Sequence, residues 1–179
     1  MRQNHKSDFR KICINTLKSK SRFAKKKKDR IIINKLINII DKLQPKRVLL
    51  YIPKGFEVDI SFLIKKLRID KKIDIYAPYL YKSSFKIVKY RLPLYKNRFG
   101  IKESKNSFLI SKKIDLAIVP IVGVDSLYKR IGFGSGMYDR FFSSLSYKPI
   151  LVFTQLLLCK SNKVLSNEYD IQADYIITA

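Results

Sequence analysis

Short apolar runs, each stopped by a proline or a polar residue and separated by stretches of helical period, constrain this chain more than any other feature. Val48-Leu49-Leu50-Tyr51-Ile52 ends at Pro53, and Leu116-Ala117-Ile118-Val119 ends at Pro120. Runs this short and this continuously apolar suit strands covered on both faces, as in a parallel sheet. Ile73 to Tyr79, closing at Pro78, reads as another strand, as do Ile150 to Thr154 and Tyr175 to Thr178. Ser84 to Tyr90 sets Phe85 and Ile87 against Lys86 and Val88 and gives a weaker strand signal. Between them, Phe9, Ile12, Cys13, Thr16 and Leu17 place a helix over roughly the first twenty residues. Ile32, Leu36, Ile39, Ile40 and Leu43 mark a second helix, with Pro45 just beyond its end. A third, carrying Phe62, Leu63, Ile64 and Leu67, is expected to be capped by Asp59, and a fourth runs from about Gly136 to Leu145. Arg22 to Arg30 reads as a solvated basic stretch and Leu92 to Ser107 as loop. The expected class is therefore α/β: one three-layer domain over residues 1–179, with a mostly parallel central sheet flanked by helices.

A chain of 179 residues is long enough for one real core. Every long apolar run is broken by Lys, Arg or Asp before it reaches membrane-spanning length, and the basic start lacks the apolar centre of a secretory signal. Cys13 and Cys159 are too few and too far apart in sequence to suggest a disulfide scaffold or a metal cluster. A cytoplasmic protein is expected. The net charge of +24 admits two readings. It could be a nucleic-acid footprint, since clustered Lys and Arg release counterions from phosphate backbones. Yet the charge is spread along the whole chain, where Lys, Ile, Asn, Tyr and Phe abound, which favours a compositional bias over a specific partner.

Three of the six glycines fall within Gly132-Phe133-Gly134-Ser135-Gly136. Such clustering marks a place where the backbone bends sharply and approaches something closely, and its position after a strand suits an anion. It is not a Walker loop, because no Gly-Lys-Ser/Thr closes it, and its spacing is not that of a dinucleotide fingerprint. On residues alone, a tight strand-to-helix connection remains the commoner reading. Placement raises the interest: ligands of open parallel sheets bind at the carboxyl ends of the strands. Ile52-Pro53, Ala77-Pro78, Val119-Pro120 and Thr154 occupy such ends.

The longer segments Asp115 to Asp125 and Lys129-Arg-Ile-Gly-Phe-Gly-Ser-Gly-Met-Tyr-Asp-Arg-Phe142 resemble the signature of the 5-formyltetrahydrofolate cyclo-ligase family. The resemblance extends in order along nearly the whole chain. It includes Lys6-Ser-Asp-Phe-Arg10, Gly55-Phe-Glu-Val-Asp59, Phe99-Gly-Ile-Lys-Glu103, Gln155, Glu168-Tyr-Asp-Ile171 and Ile176-Ile-Thr178. It implies an ATP- and Mg²⁺-dependent enzyme that cyclises 5-formyltetrahydrofolate to 5,10-methenyltetrahydrofolate with release of ADP and phosphate. ATP would be bound by Lys6, Arg10 and the run Arg130, Ile131, Gly132, Phe133, Gly134, Ser135, Gly136, Met137 and Tyr138. Arg130 and Tyr138 would be catalytic, Ile52 and Glu57 would bind the folate, and Asp139 and Asp170 would hold the Mg²⁺. The implied partners are a reduced folate and ATP, with no specific nucleic acid and no membrane, for a monomer.

The chain also departs from the family pattern. Val124 and Met137 replace aromatics, Ser135 stands at a position that is often basic, and Tyr169 stands where His is common. These departures leave a catalytically weakened folate-binding homologue as one alternative beside the enzyme, and the basic surface leaves a nucleic-acid-binding protein as another. Lys6 and Arg10, four apart on one helix, can reach the same anion or can simply form a solvated basic face. His5, the only histidine, lies at the start of the chain and carries no catalytic expectation.

Overall fold

In the computed structural model, residues 2–70, 72–105 and 113–179 are described, with side chains from residue 5 onward. Helices α1 (Arg2–Ser21) and α2 (Lys25–Leu43) lead into strand β1 (Arg47–Leu49), and α3 (Ser61–Ile69) follows. The chain continues through β2 (Asp74–Tyr81), β3 (Ser84–Lys89), and the two-residue strands β4 (Tyr95–Lys96) and β5 (Lys102–Glu103). Next come β6 (Leu116–Pro120), a hairpin of β7 (Gly123–Val124) and β8 (Arg130–Ile131), helix α4 (Met137–Ser143), β9 (Ile150–Thr154) and β10 (Tyr175–Ile177).

Six strands form one sheet in the order β10-β9-β6-β1-β2-β3. All neighbours pair in parallel except β2 with β3, which are antiparallel. The strands are short and apolar because successive residues serve two cores. Val48, Leu50, Leu116, Ile118 and Val152 pack on one face with Ile32, Leu36 and Ile40 of α2 and Leu63 of α3. Leu49, Ala117, Val119, Leu151 and Phe153 point the other way, onto Phe141 and Phe142 of α4. This is the mixed α/β sandwich expected from the sequence, with helices on both faces of a mostly parallel sheet.

Several details differ from the sequence reading. The basic stretch is not all solvated coil, for α2 begins at Lys25, where a Lys25–Asp29 ion pair at 2.8 Å spans one turn. Asp29 is buried and also accepts from the amide of Asp59, so the helix start is fixed from outside. Asp59 sits one position before the helix cap, which is Ile60, and its carboxylate accepts from Ser61 N at 3.0 Å. Strand β2 runs through Pro78 to Tyr81, because β1 has already ended and only β3 pairs there, leaving one side free of ladder bonds. The stretch from Leu92 contains the β4–β5 ribbon. Asn106 and Ser107, at its end, lie outside the described residues.

The cysteines require the largest correction. Cys13 and Cys159 form a disulfide with Cα atoms 5.9 Å apart, despite 146 residues between them. Separation along the chain does not measure separation in space: α1 folds back over the turn after β9. The Gln155 carboxamide holds that turn by accepting from Cys159 N. Gly123 makes room, since a Cβ there would lie 2.7 Å from the Cys159 carbonyl and 3.4 Å from Cys13 Sγ.

Candidate active site

In an open sheet the natural crevice lies where the chain leaves a strand toward opposite sides. Here that strand is β1, with β2 on one side and β6 on the other. A cavity of about 410 Å³ opens there, lined by Tyr51 and Ile52 beyond β1, Pro78 and Leu80 of β2, and Pro120 ending β6. The glycine-rich loop supplies its far wall through Phe133, Ser135 and Gly136. The loop therefore borders a cleft, as its position in the sequence suggested.

The loop's geometry requires glycine at two positions. Gly134 has φ +116° and Gly136 φ +61°, conformations that an L side chain adopts only with strain. Among the described residues, the amides of residues 132 to 136 donate no hydrogen bond. Their carbonyls, by contrast, are used: Arg10 Nε donates to Gly132 O at 2.8 Å, and Arg140 Nη2 donates to Ser135 O at 2.5 Å. Arg140 also donates to Ser83 O, which ties the loop to the β2–β3 turn. A loop pinned by its carbonyls with its amides free has donors to offer an anion.

Arg130 lies beneath the loop and is 3% exposed. Its Nη1 donates to Asp139 Oδ2 at 2.9 Å and its Nη2 to Pro120 O at 3.1 Å, while its Nε is buried without a partner. A Cβ on Gly132 would fall 2.2 Å from Arg130 Nη1, so the glycine is needed for this guanidinium to fit. The guanidinium also lies 5.0 Å from the centroid of the Tyr138 ring. Phe85 flanks that ring at 5.0 Å. Burial, and then the charge of Glu57, hold the Tyr138 phenol well above its ordinary pKa, so it stays protonated and can donate.

Glu57 stands on the opposite wall. Its Oε2 accepts from Lys54 N at 2.8 Å. Burial pushes its carboxyl up to about 7, against the pull of that hydrogen bond and of the charges on Lys54, Arg130 and Lys25. Ile52 joins it at the cavity wall. The two residues expected to meet the folate and the loop expected to meet ATP thus share one cavity.

Lys6 and Arg10 reach the same region from α1. Lys6 Nζ pairs with Asp170 Oδ2 at 2.5 Å, and Arg10, one helical turn on, donates to Gly132 O of the loop. Ile171, the residue after Asp170, points its amide at Asp139 Oδ1 from 3.5 Å. Both carboxylates are engaged on one oxygen: Asp139 Oδ2 by Arg130, and Asp170 Oδ2 by Lys6 and by Asn167 N. The other oxygen of each is left with weak competition or none. No cluster of three or more His, Cys, Asp or Glu occurs among the described residues. A pair of carboxylates with spare oxygens suits Mg²⁺, which keeps most of its water and phosphate ligands.

Two of the expected residues reach the cavity in a restricted way, Arg130 at its wall and Ile131 not through its side chain. The Ile131 side chain is fully buried, so only its main chain can belong to the loop. Arg130 is a buried strut whose fork is already shared with Asp139 and Pro120. The cavity also contains residues that motif reading passed over. Tyr51 donates to Val58 O at 2.7 Å. Glu103 is buried, and its Oε1 accepts from Leu80 N. Phe56 meets Phe133 at 5.8 Å between ring centroids, and these rings supply the flat apolar faces that Val124 and Met137 do not. Glu103 and Phe56 lay inside quoted motifs, so the signal was present; Tyr51 directly precedes Ile52 and could have been found the same way.

Residues 2–179 match the model of the 5-formyltetrahydrofolate cyclo-ligase family. The chain is 26% identical over 176 residues to a 5-formyltetrahydrofolate cyclo-ligase from Haemophilus influenzae, spanning 94% of this chain and 91% of the relative. Its fold is similar to that of a 5,10-methenyltetrahydrofolate synthetase from Mycoplasma pneumoniae, with a TM-score of 0.72, 25% identity, and coverage of 96% and 97% of the two chains. A 5,10-methenyltetrahydrofolate synthetase from Aquifex aeolicus gives a TM-score of 0.80 at 24% identity, with 97% and 89% covered. With the glycine-rich loop, Ile52 and Glu57 lining one cleft and its length matched nearly end to end, this chain belongs to the 5-formyltetrahydrofolate cyclo-ligase family.

Proposed function

We propose that this chain closes 5-formyltetrahydrofolate to 5,10-methenyltetrahydrofolate at the expense of ATP, releasing ADP and phosphate. The observation that carries this reading is the shared cavity: Phe133, Ser135 and Gly136 of the loop, whose amides donate no hydrogen bond among the described residues, line one apolar cleft with Glu57 and Ile52. A formyl oxygen is a poor leaving group until it is phosphorylated, after which the neighbouring folate nitrogen can displace phosphate. The protein's task is then alignment and charge neutralisation. The loop amides would hold the phosphates, with Lys6 and Arg10 adding charge from α1. Glu57 would accept from donor edges of the pterin, with Phe56 and Phe133 against its faces. Arg130 would hold the loop and Tyr138 in place, and the Tyr138 hydroxyl would donate toward the reacting groups. Asp139 and Asp170 would hold Mg²⁺, which supplies charge neutralisation at phosphate oxygens when bound.

The enzyme acts as a monomer in this reading. Among the described residues no helix is long and apolar enough to cross a membrane, and we place the enzyme in the cytoplasm. The test is direct. Purified protein given 5-formyltetrahydrofolate, ATP and Mg²⁺ should form the methenyl product, read by its near-ultraviolet absorbance, with one ADP per turnover. Absence of product at any ATP concentration overturns the reading. Gly134→Val should lower kcat by about 100-fold through loss of the loop geometry, while folate binding survives.

A further inference from the structure

The residues that reach the glycine-rich loop from α1 depend on a helix with few other holds on the body of the protein. Cys13 and Leu17 are its buried apolar side chains, while Ile12 beside them is exposed. Beyond these, Lys6 pairs with Asp170 and Arg10 donates to Gly132 O. Cys13 lies one helical turn past Arg10, and its bond to Cys159 is the covalent link between this helix and the turn after β9. Gly123 is fitted to that link, for any larger residue would meet Cys159 O, Cys13 Sγ and the Phe9 ring.

We propose that the Cys13–Cys159 disulfide is a redox gate on the nucleotide half of the site. Reduction frees α1, and with it Arg10 from the loop and Lys6 from Asp170. The inference rests on the nucleotide reading given above. Cys13 is fully buried, whereas Cys159 is half-buried between exposed Leu158 and Lys160 and is the more exposed residue of the pair. A dithiol reductant attacks Cys159 Sγ through one thiolate, and the Cys13 thiolate leaves. The second thiol of the reductant then displaces Cys159 from the mixed disulfide. Two electrons and two protons end on the cysteines, and the reductant leaves as its own disulfide. Loss of cationic reach from α1 weakens ATP binding while leaving the Glu57 wall intact.

The test compares the oxidised protein, the same protein after dithiothreitol, and the double variant Cys13→Ser/Cys159→Ser, with free thiols counted in each. Titration with Mg-ATP should show affinity lower by on the order of tenfold in the reduced and double-variant forms, the size expected for losing charge-assisted contacts. Affinity for 5-formyltetrahydrofolate should be unchanged, and dithiothreitol should have no further effect on the double variant. Equal, measurable ATP affinity in oxidised and reduced wild-type overturns this inference alone. No ATP binding in either form overturns the nucleotide reading and this inference with it. If reduction of the wild-type abolishes its far-ultraviolet circular dichroism, the disulfide staples the whole fold and is no local gate. Two thiols that resist oxidation by diamide likewise overturn it.

Discussion

Asp125, after strand β7, and Glu57, at the cavity wall, are two carboxylates drawn into the protein with opposite results. Asp125 is fully buried and accepts from the amides of Leu127, Lys129, Leu165 and Ser166 and from the Ser166 hydroxyl. Burial raises its pKa, but these hydrogen bonds, Ser166 foremost, outweigh it and hold the carboxyl below its ordinary value. Glu57 has one amide partner, and burial prevails, leaving it near 7. The first carboxylate has all its partners within the chain and organises a turn. The second retains acceptor capacity at the cavity wall. Hydrogen-bond satisfaction, more than burial, sets the two carboxyls apart.

Removing each group should expose that difference. Asp125→Ala strands several buried donors and should cost on the order of 5 kcal/mol, read by chemical denaturation. The stability Asp125 confers is present above about pH 4 and lost as pH falls through its depressed pKa. Arg130→Leu should cost about 4 kcal/mol, because Asp139 is left buried without its cation. Part of that loss should return in the double variant with Asp139→Asn. If Arg130→Leu alone leaves stability unchanged, the guanidinium is not the strut described here. Glu57→Gln should move the other way. Its raised pKa means that the unfolded chain ionises first, so wild-type stability falls as pH rises from about 4.5 to 7 and then levels. At pH 8 the Gln variant should be more stable by about 2 kcal/mol, less than the full shift because the group is partly solvated. Destabilisation comparable to that of Asp125→Ala would erase the contrast between the two acids.

The same contrast explains what could be read from sequence. The strands were legible because a two-faced core demands continuous apolar runs, and Val48 to Leu50 and Leu116 to Val119 carry that demand in every residue. The glycine loop was legible because positive φ at Gly134 and Gly136 restricts the residue type. Engagement of side chains was not legible. Nothing local says that Arg130 points inward to Asp139, or that Asp29 turns from a lysine-rich helix start to meet Asp59 N. The disulfide was hidden for the same reason: its partners are brought together by α1 folding over the end of the sheet, a tertiary event with no local signature. Pro78 misled for a related reason, since whether a proline ends a strand depends on where the neighbouring strand stops.

The raised Glu57 carboxyl also sharpens the binding prediction. If donor edges of the pterin meet the ionised form, affinity for 5-formyltetrahydrofolate should rise with pH up to about 7 and then flatten. Binding at pH 6 should release a proton, measurable by calorimetry in buffers of different ionisation enthalpy, and Glu57→Gln should lose this dependence. Proton uptake in place of release would show that the neutral acid is the form that binds.

The smallest effect belongs to Lys18, whose ammonium lies 5.9 Å from the centroid of the Phe56 ring. Lys18 is exposed, and Phe56 faces the cavity beside Phe133. A cation over an exposed aromatic face contributes roughly 0.5 kcal/mol, and salt screens much of the remaining field from other lysines. Lys18→Gln should therefore change KM for the folate by less than about twofold, whereas Phe56→Ala should change it several-fold, because it removes the stacking face itself. An effect of Lys18→Gln as large as that of Phe56→Ala, and lost in high salt, would show that charge at the cavity mouth, rather than the apolar wall, dominates recognition on that side.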